Sequence, residues 1–279
     1  MFDTHCHLNF GAFDSNVDEV VASALASGVN QIMIPSTDLS TSEKAIGVAN
    51  KFENVYAAVG IHPHHVFELK MKSDKLKADL ENIELLLQSE NVVAIGEVGL
   101  DRHYYKNTKY SDYEITNEFM LLQREVFGQQ VEFAIEHDKS LILHNREAKA
   151  EFLVALLSVW DTKLEGRTVF HCCEPDVELL EFAKKYKLYI GVDGDVTYSK
   201  QKQEFIRTVP VEMLVLETDA PFLSPEPFRS LPSKTRGPNV PANLKLIAEF
   251  VANLKEVSTQ QLSQVTTANA QKLFGLREF

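Results

Sequence analysis

The feature that most constrains this chain is a regular alternation of short apolar runs with longer amphipathic stretches. Most of the runs are continuous sequences of valine, isoleucine, leucine, phenylalanine and alanine. Such runs are typical of strands that are buried on both faces of a parallel sheet. The sequence predicts eight strands, over residues 1–6, 31–35, 55–59, 92–95, 140–143, 167–170, 188–192 and 213–217.

The stretches between the runs have helical periodicity. They predict helices near residues 14–26, 41–52, 75–88, 118–137, 148–159, 176–186, 200–208, 242–253 and 259–273. A (β/α)8 barrel needs about 250 residues, so the 279-residue chain has room for one. A doubly wound open sheet shows the same alternation, and the number of strands does not separate the two architectures.

Nothing in the sequence marks a boundary between domains. There is no linker-like or low-complexity stretch, no internal repeat and no shift of composition. The longest predicted insertion between a strand and a helix covers residues 101–116, and a proline-rich segment covers residues 224–241. The predicted fold class is therefore α/β, with a single domain over residues 1–279, and a (β/α)8 TIM barrel and a doubly wound sheet are its two candidate architectures.

Net charge and cysteine content restrict the partners and the compartment. The formal net charge is −12, which opposes binding along long duplex DNA but leaves room for a local site for a short or single-stranded substrate. Three cysteines, two of them adjacent, do not form a disulfide framework. The amino terminus lacks the pattern of a signal peptide, and no apolar run reaches the roughly 18 residues of a membrane span. These features predict a cytoplasmic protein with no membrane association and no obligate protein partner.

The first strand carries two histidines with one residue between them. Side chains two apart in a strand point to the same side, so His5 and His7 are close enough to bind one cation. A lone His-x-His also occurs by chance, and two unrelated histidines are the alternative interpretation. Cys6 alternates with the histidines, which predicts that it points into the core.

Further polar residues follow the apolar runs at corresponding places. The predicted strands four, five, six and eight end on Glu97, His144, His171 and Asp219. The carboxyl ends of barrel strands converge on one face, where active sites of barrel enzymes form. A single buried histidine is common in a core, but this set on five strands predicts one shared site.

Six short motifs extend this pattern over nearly the whole chain. They are DTHCH at residues 3–7, GIHPH at 60–64, GEVGLD at 96–101, HNREA at 144–148, HC at 171–172 and ETDAP at 217–221. In this order they resemble the TatD family of metal-dependent deoxyribonucleases, within the amidohydrolase-like barrels. No single motif is specific, whereas the ordered set is highly specific.

The resemblance implies a (β/α)8 TIM barrel as the fold and a centre of two divalent ions. His5, His7 and Asp219 would bind the first ion, His144 and His171 the second, and Glu97 would bridge them. Mixed nitrogen and oxygen ligands suit zinc or manganese, and magnesium accepts fewer histidines, so the identity of the metal stays open. Asp219 and Glu97 are the expected catalytic residues.

The resemblance also implies a deoxyribonuclease that cleaves phosphodiester bonds at the 3′ end of short or single-stranded DNA. Its expected substrate contacts are His62, Arg146 and Arg236. Each has a plainer interpretation: His62 as a loop histidine, and the two arginines as members of surface salt bridges. A small-molecule amide, lactone or phosphoester hydrolase with the same metals is the alternative function, because barrel and ligands do not select the substrate.

Two positions depart from the family pattern. The chain has Cys172, Cys173 and Glu174 where the family usually has an aromatic residue, a small polar residue and glycine, and it has Val240 where the family usually has glutamate. The carboxylate of Glu174 is expected to repel a nucleic-acid backbone, so Glu174→Gly is expected to improve cleavage of single-stranded DNA. Cys172, next to a predicted ligand, is expected to pack or to support that ligand.

Overall fold

All eight apolar runs form strands of one parallel sheet. The computed structural model describes residues 1–69, 73–110, 112–232 and 234–276. Within these ranges each strand pairs with the next one along the chain. The strands are β1 (Phe2–Asp3), β2 (Gln31–Ile34), β3 (Val55–Val59), β4 (Val92–Asp101), β5 (Ser140–Arg146), β6 (Thr168–Phe170), β7 (Tyr189–Val192) and β8 (Leu214–Leu216).

Helices follow the strands and surround the sheet. They are α1 (Val17–Ala26), α2 (Leu39–Ala49), α3 (Val66–Leu69), α4 (Ser73–Leu86), α5 (Asn117–Glu136), α6 (Lys149–Ser158), α7 (Val177–Tyr186), α8 (Lys200–Thr208), α9 (Leu244–Leu254) and α10 (Thr259–Leu273). The short helix α3 was not predicted, because one turn is too short to show helical periodicity.

The sheet closes on itself where β8 meets β1. The backbone N–H of Thr4 donates to the carbonyl of Leu216 at 3.0 Å, and the N–H of Asp219 donates to the carbonyl of His5 at 2.9 Å. This contact between the last strand and the first excludes an open, doubly wound sheet. The predicted (β/α)8 barrel is confirmed.

The alternation of side chains along each strand produces two apolar layers. The inner layer takes one residue from each of the eight strands and adds three residues of the carboxyl-terminal segment: Phe2, Met33, Ala58, Ala94, Ile142, Val169, Tyr189, Val215, Ala270, Leu273 and Phe274. The hydroxyl of Ser140, at the start of β5, donates to the carbonyl of Leu273 at 2.6 Å. The end of α10 therefore closes the amino end of the barrel, and the carboxyl end is left for a site.

Two strands are longer than predicted. Glu97 was expected at the end of the fourth strand and His144 at the end of the fifth, but β4 continues to Asp101 and β5 to Arg146. Backbone pairing extends past both residues, with Gly99 opposite His144. The prediction was wrong because it ended each strand at the first polar side chain, whereas a ladder of backbone hydrogen bonds does not require apolar side chains.

Candidate metal centre

A cleft of about 650 Å³ opens at the carboxyl end of the barrel. Most of the residues predicted for the site line it: His7, His62, Glu97, His144, Arg146, His171 and Asp219. His5 is fully buried directly beneath, with its Nε2 atom 3.3 Å from Nε2 of His7. Six segments that are distant in sequence therefore bring their polar side chains to one point.

Four ligand atoms surround a common point on the floor of the cleft. Glu97 Oε1 lies 3.4 Å from His5 Nε2 and 3.2 Å from His7 Nε2. Asp219 Oδ1 lies 3.7 Å and 3.4 Å from the same two nitrogens. Imidazole nitrogens and carboxylate oxygens that lie 3.2–3.7 Å apart have the spacing of ligands that share one ion, whose bonds to nitrogen and oxygen are about 2.0–2.2 Å long. These four residues fit a divalent ion.

The second carboxylate oxygen of Glu97 faces a different pair of histidines. Glu97 Oε2 lies 3.4 Å from His144 Nδ1 and 3.6 Å from His171 Nε2. The three groups bring their ligand atoms within 4.8 Å of one another. Three protein ligands with further positions open are typical of catalytic ions, which need room for water or substrate. The two oxygens of Glu97 thus separate two ligand groups.

Two buried carboxylates orient the histidines of the second group. Asp101 Oδ2 lies 3.2 Å from His144 Nε2, and Glu217 Oε1 lies 3.1 Å from His171 Nδ1. A ring proton shared with a carboxylate leaves the lone pair of the opposite nitrogen directed at the site. Gly191 makes room for this arrangement, since a Cβ atom there would lie 2.6 Å from the carboxylate oxygens of Glu217.

The orienting role of Asp101 and Glu217 was not predicted from the sequence. Both residues belong to the motifs quoted above, and spacing offered a signal. Asp101 stands four residues after Glu97 on β4, and Glu217 stands two residues before Asp219, so each pair shares a face of its segment.

His62 approaches the site as a hydrogen-bond donor. Its Nδ1 accepts the backbone N–H of His64 at 3.1 Å, so the ring proton of the neutral imidazole is on Nε2. Burial lowers the pKa of His62 well below its ordinary value, which favours this neutral form. Nε2 lies 4.0 Å from Glu97 Oε2. A neutral ring that presents N–H to the cleft suits a substrate oxygen better than a metal ion.

The field on the floor of the cleft favours added positive charge. Burial opposes protonation of His7, but hydrogen bonds to Asp219 and Glu97 outweigh it and raise the pKa of His7 to about 9. Burial likewise opposes protonation of His144, and bonds to Asp101 and Glu97 raise its pKa to about 9. A divalent ion would displace these protons, which is how binding of a metal to imidazole and carboxylate ligands proceeds.

The two predicted arginines lie in different places. Arg146 lines the cleft, where its guanidinium lies 5.4 Å from the ring centroid of Tyr105 and donates to the Tyr105 hydroxyl at 3.3 Å. Arg236 does not line the cleft, and its Nη1 donates to the carbonyl of Arg229 at 2.8 Å. The structure therefore brings Arg146 to the site and leaves Arg236 in the exposed loop after β8.

Glu174 lines the cleft, but its carboxylate has partners. Oε2 accepts the side-chain amide of Asn145 at 3.1 Å, and Oε1 accepts the backbone N–H of Glu147 at 3.3 Å. These bonds connect the loop after β6 to the end of β5. Glu174 thus shapes the wall of the cleft as well as adding charge to it. Val240 is half-buried and packs against the core.

The cysteines are free thiols in three different settings. Cys6 is fully buried in the main hydrophobic cluster, which confirms the prediction that it belongs to the core. Cys172 lines the cleft, and its backbone N–H donates to Glu217 Oε1 at 2.6 Å. Cys173 is buried, and its carbonyl accepts the ammonium group of Lys202 at 2.7 Å.

Several residues that line the cleft were not predicted. Phe10 and Phe222 form an aromatic edge, while His64, Tyr105 and Asn145 stand with Arg146 on the polar side. Single aromatic residues in loops carry no periodic signal, so their convergence depends on the fold.

Among the described residues, no helix is long and apolar enough to cross a membrane.

Comparison with known proteins gives consistent results over the whole chain. A family profile described as TatD related DNase matches residues 2–275. The uncharacterized metal-dependent hydrolase YabD of Bacillus subtilis is 34% identical over 276 residues, which cover 98% of each protein. The 3′-5′ ssDNA/RNA exonuclease TatD of Citrobacter rodentium is 34% identical over 280 residues, which cover 99% of this chain and 98% of the relative.

A solved structure supports the same relationship. The crystal structure of YjjV, a TatD homologue from Escherichia coli, superimposes with a TM-score of 0.82 at 26% identity. The match covers 99% of this chain and 98% of that protein. The similarity thus extends over the strands and the segments that carry the candidate ligands.

Proposed function

The chain belongs to the TatD-related DNase family of metal-dependent hydrolases, and we propose that it removes nucleotides from the 3′ end of short or single-stranded DNA with two bound divalent ions. Hydrolysis of ester bonds follows from the family. We propose in addition the number of ions, the residues that bind them and the substrate.

The position of Glu97 carries the proposal. Its Oε1 atom faces His5 and His7, which Asp219 also approaches, and its Oε2 atom faces His144 and His171. A carboxylate that is buried between four histidines suits a bridge between two cations. A single ion would contact one of these two groups and leave the other group without a bound cation.

The residues around the floor have separable tasks. Bound divalent ions would activate a water molecule and stabilise the negative charge that develops on a phosphoryl group. The side chain of Asp219 is 14% exposed against 6% for Glu97, so Asp219 is the carboxylate that can accept a proton from an attacking water. His62 donates its Nε2 proton to a phosphate oxygen, and Arg146 binds a phosphate farther along the wall.

The charge of the protein supports a short or single-stranded substrate. The net charge is −12, and Arg146 is the single lysine or arginine among the described residues that line the cleft. Long duplex DNA needs an extended basic surface. Relatives named 3′-5′ ssDNA/RNA exonuclease favour a strand end as the substrate. The small-molecule hydrolase is the less well supported alternative.

A panel of substrates with controlled metal tests the proposal. The purified protein would be stripped with chelator and reconstituted with zinc, manganese or magnesium, and bound metal would be counted by mass spectrometry. We expect about two ions per chain and stepwise shortening of 3′ ends of single-stranded DNA, with activity lost on chelation. Unchanged activity in chelator, or cleavage of small amides and lactones without cleavage of DNA, would overturn the proposal.

A further inference from the structure

The cleft has two walls of different chemistry. The loops after β1 and β8 contribute Phe10, Phe222 and Leu223, whereas the opposite side carries His64 and Arg146 with their neighbours. The proposed ligands lie between the two walls. A polar wall suits the phosphate backbone of a nucleic acid, and an apolar wall beside the same floor suits a different part of the substrate.

Phe222 is the exposed member of the apolar wall. Its side chain is 51% exposed, while Phe10 is half-buried and stacks on His7 with ring centroids 4.3 Å apart. The Phe222 ring meets the rings of His7 and Phe10 edge-on, at 6.0 Å and 6.1 Å. With half of its side chain exposed and lining the cleft, Phe222 keeps surface open to the cleft.

The backbone around Phe222 is tightly held. The N–H of Phe222 donates to the carbonyl of Asp219 at 2.8 Å, and the carbonyl of Pro221 accepts the N–H of the fully buried Asn239 at 3.0 Å. On the other side, the carbonyl of Leu223 packs so closely on Gly194 that a Cβ atom there would lie 2.0 Å away. A ring on such a segment is placed before substrate arrives, which reduces the entropy lost on binding.

The charged side chains that line the cleft indicate a role for the Phe222 ring. Arg146 is the single lysine or arginine among the described lining residues, so beyond the proposed ions one cationic side chain is available for contacts to phosphates. Stacking of bases on aromatic rings is the other main source of affinity for single strands, and it tolerates any base because every base has a π-face.

We propose that Phe222 is the stacking platform for the nucleobase next to the scissile phosphate, and that it selects substrates that carry a base there. This inference rests on the proposed nuclease function. Phe222 follows Asp219 by three residues in a segment whose backbone is held by hydrogen bonds. Its ring contacts the ring of His7. A nucleotide whose phosphate lies over the ligands thus has its base within reach of the apolar wall.

The test compares Phe222→Ala and Phe222→Trp on two substrates. One is a fluorescein-labelled single-stranded oligothymidylate, and the other is the same strand with abasic residues at its last two 3′ positions, both with manganese. We expect Phe222→Ala to raise KM for the normal strand about tenfold, equivalent to about 1.4 kcal/mol, with kcat within about twofold. Phe222→Trp should restore KM for the normal strand. On the abasic strand, Phe222→Ala should not raise KM above the value of the parent.

Phe228→Ala is the matched control. Phe228 is 40% exposed in the same loop after β8 but does not line the cleft, so this variant should behave like the parent on both strands. Metal content should be unchanged in every variant. An equal loss on normal and abasic strands, or no loss with Phe222→Ala, would overturn the stacking role.

Binding measured by fluorescence anisotropy separates this inference from the function on which it rests. If the parent binds the normal strand more tightly than the abasic one, and Phe222→Ala removes the difference, the platform stands even when no strand is cleaved. Cleavage that is indifferent to the base would support the nuclease and reject the platform. Absence of both binding and cleavage would reject both.

Discussion

Asp101 holds His144 in place: its Oδ2 atom lies 3.2 Å from Nε2 of the ring, so that Nδ1 faces Glu97. Asp101 is itself fixed by the Tyr105 hydroxyl at 2.7 Å and the backbone N–H of His103 at 2.7 Å. The orientation of a proposed ligand is therefore set by a carboxylate that does not reach the cleft. Glu217 orients the ring of His171 in the same way, through a hydrogen bond to Nδ1.

Replacing Asp101 with asparagine should weaken binding of one ion and spare the other. The amide keeps the shape but loses the charge that polarises the His144 ring, and loss of such a partner lowers metal affinity about 10- to 100-fold. Titration calorimetry of the stripped protein should show one weakened site and one unchanged site. Tyr105→Phe, which removes a single bond to Asp101, serves as the mild control. Equal weakening of both sites would contradict the assignment.

Glu97→Gln should remove turnover without unfolding the barrel. The amide cannot supply two charged oxygens to the two ligand groups, so we expect a loss of at least about a hundredfold in kcat and of both ions. Glu97 lines the cleft at the carboxyl end of the barrel, away from the end that α10 closes. Circular dichroism of the metal-free variant should match that of the metal-free parent. Near-normal turnover would show that Glu97 is not a bridge.

Glu174 should respond differently to loss of charge and to loss of shape. Glu174→Gln keeps an acceptor oxygen for one of its partners, Asn145 or the backbone N–H of Glu147, and removes the repulsion of phosphate. Cleavage of single-stranded DNA should then rise about twofold to tenfold at low salt, with the gain shrinking as salt screens the charge.

Glu174→Gly removes both acceptors together with the charge. The expectation from sequence treated Glu174 as a free charge, and its two hydrogen bonds now predict that the glycine variant gains less than the glutamine variant or loses activity. Initial rates on the same oligonucleotide at several salt concentrations would distinguish the two effects. A larger gain for glycine than for glutamine would show that the loop contacts do not matter.

Lys202→Met should destabilise the fold. Lys202 is 1% exposed, and its Nζ lies 3.4 Å from Asp195 Oδ2 and 3.7 Å from Asp193 Oδ2. Removing the cation leaves buried carboxylates without compensation, which costs about 3–5 kcal/mol. Denaturant unfolding at pH 8 would measure the loss, and Lys200→Met, at the exposed start of α8, is the matched control.

The loss should depend on pH with a definite sign. Burial and the neighbouring charge of Asp193 raise the pKa of Asp195 to about 8. A carboxyl group with a raised folded-state pKa contributes stability that is present at acid pH and lost as the pH rises through about 8. Protonation therefore relieves the uncompensated charge in Lys202→Met, and its destabilisation should be smaller at pH 5 than at pH 8. A loss that is equal at both pH values would contradict this account.

Much of the site could be anticipated because its chemistry is local in sequence. The spacing of His5 and His7 predicts one shared cation, and their Nε2 atoms lie 3.3 Å apart. The polar residues after apolar runs predicted convergence of Glu97, His144, His171 and Asp219, which line one cleft. The exact ends of β4 and β5 were missed, since backbone pairing gives no signal in side-chain polarity.

What the sequence by itself determined is the alternation of strands and helices and the set of candidate ligands. Continuous apolar runs and apolar residues with a period of 3.6 report burial directly, and the order of histidines and carboxylates after the runs follows from chain connectivity. What only the tertiary structure decided is orientation. Contacts between segments far apart in the chain decide which oxygen of Glu97 faces which histidines and that His62 presents a proton. They also place Arg236 away from the cleft and leave Phe222 open to it. Such contacts fix side-chain rotation and hydrogen-bond direction, and neither leaves a periodic trace in the sequence.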